Sequence, residues 1–389
     1  MKYDVTIGIP VYKSVDFIRR TLESALSQTY SSIEFLMVDD GGCDGSMEAI
    51  EEIKREHPRG NDIHIITHPQ NMGVSASRNH IIDEAQGQYL FFMDSDDVIA
   101  ENTIELMMEN VRKYNAEIVF GSYEKIETSG EKTYYQYPSL QLLQEDELAS
   151  FAYRKYAGIQ ASVCNYLIKT SVLRAHNLRF IHTNFWEDLV FSFDLVTYIN
   201  RAVLLPDITY SYICRDNSLS HYQQRVSITK EEVLQNINAI NHLKETSSIL
   251  CNKIYYPNRC YIIAMTDFYI ACNILKRRKD IHPSFSNKEI KNLMTHSATW
   301  QQVRSFRQAR IRNTILFLLS KLPSNLCVLT ILLVGKAKKS FNVCLNLINL
   351  LYLHQINRFV SFLWPIGTIN ICLFTGNHWM IFLMRRLMK

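Results

Sequence analysis

Apolar runs and helical stripes alternate along the first third of the chain. Val5 to Val11 (VTIGIPV) is a continuous, β-branched apolar run. A helical period follows over Val15 to Gln28, with Phe17, Ile18, Leu22, Ala25 and Leu26 as its apolar positions. The alternation repeats. Ile33 to Val38 predicts a strand and leads to a helix ending near Glu56. Ile63 to Thr67 predicts a third strand, followed by a helix over Val74 to Ala85. Gln88 to Met93 predicts a fourth strand, then a helix over Glu101 to Tyr114 and a strand over Ala116 to Gly121. Strands alternating with helices at this spacing predict an α/β fold, a mainly parallel sheet with helices on both faces.

Beyond Gly121 the pattern changes. Glu124 to Gln144 is polar and tyrosine-rich and predicts a hairpin turning at Ser129-Gly130. Val163 to Leu173 joins a short strand to a helix. Phe185-Trp186-Glu187-Asp188 opens an apolar helix over Leu189 to Tyr198, and Tyr210 to His221 reads as a strand plus loop. From about Thr229 the chain is helical without strand alternation. The expected division is a catalytic α/β domain over 1–225, with halves 1–125 and 126–225, and a helical region over 226–389.

Charge divides along the same line. Of the 42 Lys+Arg and 38 Asp+Glu, 18 and 2 fall between Lys276 and Lys389, leaving 24 and 36 before them. The first part is therefore near −12 and the tail near +16. Lys276-Arg277-Arg278-Lys279 is one basic cluster. Arg304, Arg307, Arg310 and Arg312 are spaced to line a broad helix face. Ile315 to Val334 is apolar but broken by Lys321 and Pro323. Phe341 to Met384 carries one formal charge, Arg358. This predicts helices lying in an anionic membrane interface. A re-entrant or short spanning hairpin is the rival, and a soluble helical subdomain or an oligomer interface is the alternative without a membrane. No recognition motif accompanies the charge, so nucleic acid is not an expected partner. Nine cysteines show no CxxC pairing, and no leader segment precedes the first strand, so a cytoplasmic chain with reduced thiols is expected.

The candidate chemistry sits where strands end. Phe91-Phe92-Met93 runs into Asp94-Ser95-Asp96-Asp97. Three carboxylates this close repel unless a cation lies between them, and Mg²⁺ or Mn²⁺ shared with substrate phosphates would fit. A polar turn, with Asp94 or Asp97 capping the next helix, fits the same residues. Tyr12, Asp39, Asp40 and Asn71 also fall at strand ends, the edge where open α/β sheets bind ligands. Neither G-x-G-x-x-G nor a Walker loop occurs, so any phosphate would be held by a metal and side chains such as Arg78.

The ordered motifs IPVYK, VDDGGCDGS, NMGVSASRN and FFMDSDD resemble the family 2 glycosyltransferases of GT-A fold, over about the first 125 residues. The resemblance implies that Pro10, Tyr12, Asp39 and Asp40 contact the nucleotide, and Asn71 belongs with them. Arg78, Asp94 and Ser95 would face the diphospho-sugar, with Asp96 and Asp94 on the metal. Ser77 stands where alanine is commoner, and Gly42 and Cys43 widen the turn. VCNYLIKTSVL resembles a further family segment, with Tyr166 for a lysine. Glu187-Asp188 is similar to the ED motif, which makes Asp188 the expected base and Glu187 its neighbour. YSYICRDNSLSH resembles the segment that closes over the diphosphate, giving Arg215, Ser218, Ser220 and His221 as candidates. The implied function is inverting, metal-dependent hexosyl or N-acetylhexosaminyl transfer from a nucleotide sugar, UDP being the family-level carrier. The acceptor would be a glycan or lipid-linked glycan in surface polysaccharide synthesis, at the inner face of the cell membrane. A sugar-nucleotide pyrophosphorylase lacks its phosphate loop here. The alternative from another class is a catalytically silent sugar-nucleotide-binding or scaffold protein.

Overall fold

The computed structural model describes residues 2–154, 159–183, 185–215 and 228–335. They fall into two compact units. The first runs to residue 215 and takes in Asn238–Tyr255; the second holds 228–237 and 256–335.

The first unit is built on strands β1 (Tyr3–Val11), β2 (Ile33–Asp39), β3 (Ile63–Thr67), β4 (Gly87–Phe92), β5 (Val98–Ile99), β6 (Ile118–Ile126), β7 (Lys132–Tyr135), β8 (Leu140–Leu142), β9 (Tyr166–Lys169) and β10 (Ala202–Ile213). Their order is β3-β2-β1-β4-β9-β6-β10-β5, with β7 on β6 and β8 on β10. The first four are mutually parallel, and β9 is inserted antiparallel between β4 and β6. Helices α1 (Ile18–Leu26), α2 (Ser46–Glu56), α3 (Val74–Glu84), α4 (Thr103–Tyr114), α5 (Glu147–Arg154), α6 (Thr170–Ala175) and α7 (Glu187–Leu195) connect them. This is the mainly parallel α/β sheet that the alternation predicts, in the GT-A form that the motif resemblance implies. β1 and β2 are buried along almost their whole length, as strands covered on both faces must be. Pro10, which has no N–H to give, sits beyond the last β1–β4 pair, Gly8 with Phe92.

Two expectations change. The hairpin at Ser129-Gly130 forms between β6 and β7, but the end of the tyrosine-rich stretch becomes β8 and pairs with β10 instead. Asp97 is not a helix cap. The N-cap of α4 is Asn102, and Asp97 is buried in the sheet's loop layer.

The chain continues through β11 (Ile228–Thr229) and α8 (Lys230–Thr246), which runs from the second unit into the first. The second unit goes on with α9 (Tyr256–Lys276), β12 (Ile281–His282), α10 (Asn287–Leu293), α11 (Trp300–Ser305), α12 (Arg310–Lys321) and a helix over 324–335. It is not wholly helical, because β11 and β12 pair as a short parallel sheet. Nor do Arg304 to Arg312 line one helix. Phe306 is buried edge-on to the Tyr256 ring, and Ala309 takes a left-handed φ of 50°, so the chain turns between α11 and α12. In the cluster after α9, Arg278 donates to the Phe285 carbonyl and to Asn287, closing the turn that follows. No helix among the described residues is long and apolar enough to cross a membrane. The apolar stretch Phe341 to Met384 lies outside them.

Candidate active site

The site forms at the carboxyl ends of β1, β2 and β4, where three loops are laced together by short polar side chains. After β1, Lys13 adopts a left-handed φ of 50°. That turn is held by Ser14, whose N–H donates to Ser46 Oγ and whose hydroxyl bonds Ser95 Oγ at 2.6 Å. Asp44 accepts from the Val15 N–H and from the N–H and hydroxyl of Ser46. Those donors hold its carboxyl below the usual range in spite of partial burial. Gly42 permits the close approach, since a Cβ there would stand 2.7 Å from the Lys13 nitrogen. Tyr12 is exposed at this edge, with the Lys13 ammonium 5.3 Å from its ring centre.

The Asp39-Asp40 pair separates into two roles. Asp39 is half-buried, one oxygen accepting from the Gly41 N–H. Asp40 is buried, and both its oxygens are taken: by His68 Nδ1 at 2.8 Å, the Met72 N–H at 2.7 Å and the Gly73 N–H at 2.9 Å. His68 in turn bonds His80 through Nε2. Asp40 therefore anchors the loop carrying exposed Asn71, and Asp39 is the acid of the pair left facing the cleft.

The second acidic group sits at the end of β4. Tyr210 clamps it, its hydroxyl donating to Asp97 at 2.7 Å and accepting from the Asp94 N–H at 3.3 Å. The other Asp97 oxygen accepts from the Ile213 N–H, two residues before Arg215. That bond brings Arg215 to Asp96, at 2.7 Å, with its guanidinium 5.0 Å from the Phe17 ring centre. Burial and the neighbouring Asp94 push the Asp96 carboxyl up to about 6, against the pull of Arg215. Asp97 is raised for the same two reasons. Ser95 is buried in the Ser14 contact and reads as a structural tie.

Arg78 connects this group to α7. It lies on α3, fully enclosed, donating to Asp94 at 3.0 Å and to Glu187 at 2.9 Å. Burial alone would weaken its hold on the proton; the two carboxylates more than reverse that. Its Nε–H has no partner among the described residues. Trp186 precedes the helix with φ 67°, a strained conformation for an aromatic residue. Glu187 and Asp188 follow in the first turn. Burial, then the Asp188 charge, drives the Glu187 carboxyl up to about 7 in spite of Arg78. One structure thus gathers Tyr12, Asp39, Asn71, Arg78, Asp94, Asp96, Glu187, Asp188 and Arg215 along one edge. Ser218, Ser220 and His221 lie outside the described residues. Asp44, Ser14, His68 and Tyr210 were not expected from the sequence. Two of them had a signal, Asp44 as the last acid of VDDGGCD and Tyr210 as the first residue of YSYICRDNSLSH.

The donor set bears on whether a divalent ion fits. No group of three His, Cys, Asp or Glu among the described residues could cage a metal. Asp94 and Asp96 would offer two carboxylates, the protein share of a site in which Mg²⁺-type ions are commonly held together with substrate phosphates. The raised Asp96 carboxyl marks a place short of positive charge, so the residues fit.

Sheet order, helical covering and an acid-lined edge define a nucleotide-diphospho-sugar transferase fold. Residues 6–170 match the model of the family described as "Glycosyl transferase family 2". Among curated relatives, a cholesterol galactosyltransferase of Borreliella burgdorferi is 24% identical over 326 residues, covering 78% of this chain and 88% of that protein. Glycosyltransferase GlyG of Streptococcus pneumoniae is 31% identical over 132 residues, 34% of this chain and 42% of GlyG, so the chain spans less than half of that relative. Among solved structures, S. aureus TarS 1-349 in complex with UDP-GlcNAc superposes with a TM-score of 0.56 at 14% identity, covering 82% of this chain and 90% of that one. Over residues 6–170 the chain matches the family 2 glycosyltransferases, and it is a glycosyltransferase enzyme.

Proposed function

We propose that the protein transfers a sugar from a nucleoside-diphospho-sugar, with UDP as carrier, to a hydroxyl of a lipid or lipid-linked glycan at a membrane face, in one inverting displacement. The observation that carries this reading is the Arg78 bridge. It fixes the acids after β4 and those opening α7 in a single site, although 93 positions separate Asp94 from Glu187 in sequence, since Asp94 is bonded at one end of the guanidinium and Glu187 at the other. The UDP carrier is supported by the TarS complex with UDP-GlcNAc, and a membrane-borne acceptor by the relative named for galactosyl transfer to cholesterol.

Each group has a task. Asp39 and Tyr12 receive the nucleoside. Asp96 and Asp94 would hold Mn²⁺ or Mg²⁺ on the diphosphate. Such an ion, when bound, stabilises the charge of the leaving nucleoside diphosphate. Arg215, beside Asp96, and the unpartnered Arg78 Nε–H add positive charge to the same region. Asp188 takes the proton from the acceptor hydroxyl as its oxygen bonds to the anomeric carbon and the bond to the diphosphate oxygen breaks. Of the two acids of α7, Glu187 is engaged by Arg78, which leaves Asp188 for the role of base.

Asp188→Asn is expected to fold and to bind UDP, with kcat lower by ~10²–10⁴, the span for loss of a general base. The assay is release of UDP from a panel of UDP-sugars with Mn²⁺ and a lipid acceptor. Near-normal turnover in Asp188→Asn removes the base assignment. No release from any donor by the wild type leaves a binding protein.

A further inference from the structure

The second unit carries a surface that the transfer chemistry leaves unused. α12 packs on α9 and α11, burying Asn313, Leu316 and Leu319. At about 100° per residue, its other side gathers Ile311, Ile315 and Leu318 within a sector of about 60°. All three are open to water, at 75%, 62% and 52% exposure. Exposed Arg310 and Lys321 run along one margin of that stripe. Arg312 lies along the other, its guanidinium over the Tyr261 ring. The next helix, 324–335, has no charged residue. It buries Cys327, Val328 and Ile331 and exposes Leu326, Leu329, Leu332 and Leu333. Exposed Arg304 and Arg307 stand just before α12.

An apolar stripe edged by cations on a surface helix is the pattern of a helix that lies in a lipid headgroup layer. A leucine face left in water is otherwise unfavourable and marks a contact surface. Charge chooses the occupant. From Ile290 to Lys389 the chain has 13 Lys+Arg and no Asp or Glu. A second copy of this unit would bring like charge to the arginine margin, and the chain's own residues 336–389 hold seven cations and no acid to offer it. Lipid phosphates bring the opposite charge.

We propose that Ile311, Ile315 and Leu318 of α12, with Leu326, Leu329 and Leu333 of the following helix, form a docking surface for an anionic lipid bilayer. Arg304, Arg307, Arg310 and Lys321 meet the phosphates. The surface deepens the membrane-face reading above by naming the residues that hold the enzyme there. Its evidence does not depend on the sugar chemistry.

The test uses the full-length protein and sedimentation with vesicles of phosphatidylcholine, alone or mixed with phosphatidylglycerol. Binding is expected only with phosphatidylglycerol and is expected to weaken as salt screens the attraction. Ile315→Ser with Leu329→Ser, and separately Arg304→Gln with Arg307→Gln, should each reduce the bound fraction on the order of tenfold. UDP release in solution should be unchanged in both variants, so failure of docking is separable from failure of transfer. Binding that is unchanged in both variants would assign the membrane contact to residues 336–389 and overturn the proposal. Equal binding to neutral vesicles, no binding at all, or a dimer that the serine variant splits in light scattering would also overturn it. Should the serine variant misfold, the glutamine variant alone decides.

Discussion

The two acidic strand ends, Asp39-Asp40 after β2 and Asp94 to Asp97 after β4, look alike in sequence and are built differently. After β2 the buried acid is saturated: Asp40 accepts from two backbone N–H groups and His68. After β4 the acids crowd one another. Asp97 is satisfied by Tyr210 and Ile213, yet Asp94 and Asp96 remain close enough to raise it, and Asp96 itself is raised to about 6. One strand end is a completed piece of architecture with a single acid turned outward. The other lacks positive charge, and the side chains that partly supply it, Arg78 and Arg215, come from elsewhere in the chain. A buried carboxylate with all its lone pairs engaged serves the fold, whereas a cluster that burial and mutual repulsion hold in tension is where a cation and a diphosphate belong.

Opposite outcomes at Asp96 and Asp40 are the sharpest way to break this contrast. Asp96→Asn should lower Mn²⁺-dependent UDP affinity by at least ~10²-fold, since even outer-shell changes cost up to that much. Its thermal midpoint should hold or rise, because repulsion is relieved. Asp40→Ala should do the reverse. It strands buried His68, at about 1–3 kcal/mol for a buried group left unpaired, releases the part-buried Met72 and Gly73 N–H groups, and should unfold at clearly lower urea. Calorimetry and urea titration on both variants decide. Loss of binding with full stability in Asp40→Ala, or loss of stability in Asp96→Asn, would mean the roles are reversed.

The tension also reaches α7 and has a pH signature. Glu187 binds its proton more tightly in the folded protein, at about 7, than at its ordinary 4.5. Between those values the folded state carries more protons than the unfolded chain, so stability falls as pH rises. The contribution is full below about 4.5 and gone above about 7. Wild type should therefore lose stability relative to Glu187→Gln as pH rises from 5 to about 7.5. Parallel urea curves for the two proteins across that range would show that burial does not raise Glu187.

Much of this was legible beforehand. Period and motif order predict the parallel strands, the edge where ligands bind, and Asp96 and Asp188 as the acids to test. What the sequence withheld were contacts between distant positions. Nothing in NMGVSASRN says that Arg78 is enclosed between Asp94 and Glu187 rather than open to the donor. That depends on how α3 packs against β1 and β2 and on Glu187, which arrives much later with α7. Likewise Asp97 looks like a helix cap until Tyr210, on β10, is placed over it. The break between α11 and α12 comes from burial of Phe306 against Tyr256, which an arginine spacing does not reveal.

The smallest expected effect tests how far the saturated strand end extends. Asp40 can only accept, so His68 Nδ1 must carry the proton. His68 Nε2 and His80 Nδ1 lie 3.1 Å apart on stacked rings and share a hydrogen bond. This chain steadies His68, hence Asp40, hence the loop with Asn71. His80→Ala removes its last link, a hydrogen bond worth about 0.5–1.5 kcal/mol at a partly exposed site. KM for the UDP-sugar should rise about two- to tenfold by that loss, with kcat unchanged. His80→Gln, whose amide can still hydrogen-bond, should recover most of it. A fall in kcat at constant KM would place His80 in the chemistry instead, and the contrast between a finished strand end and an unfinished one would have to be redrawn.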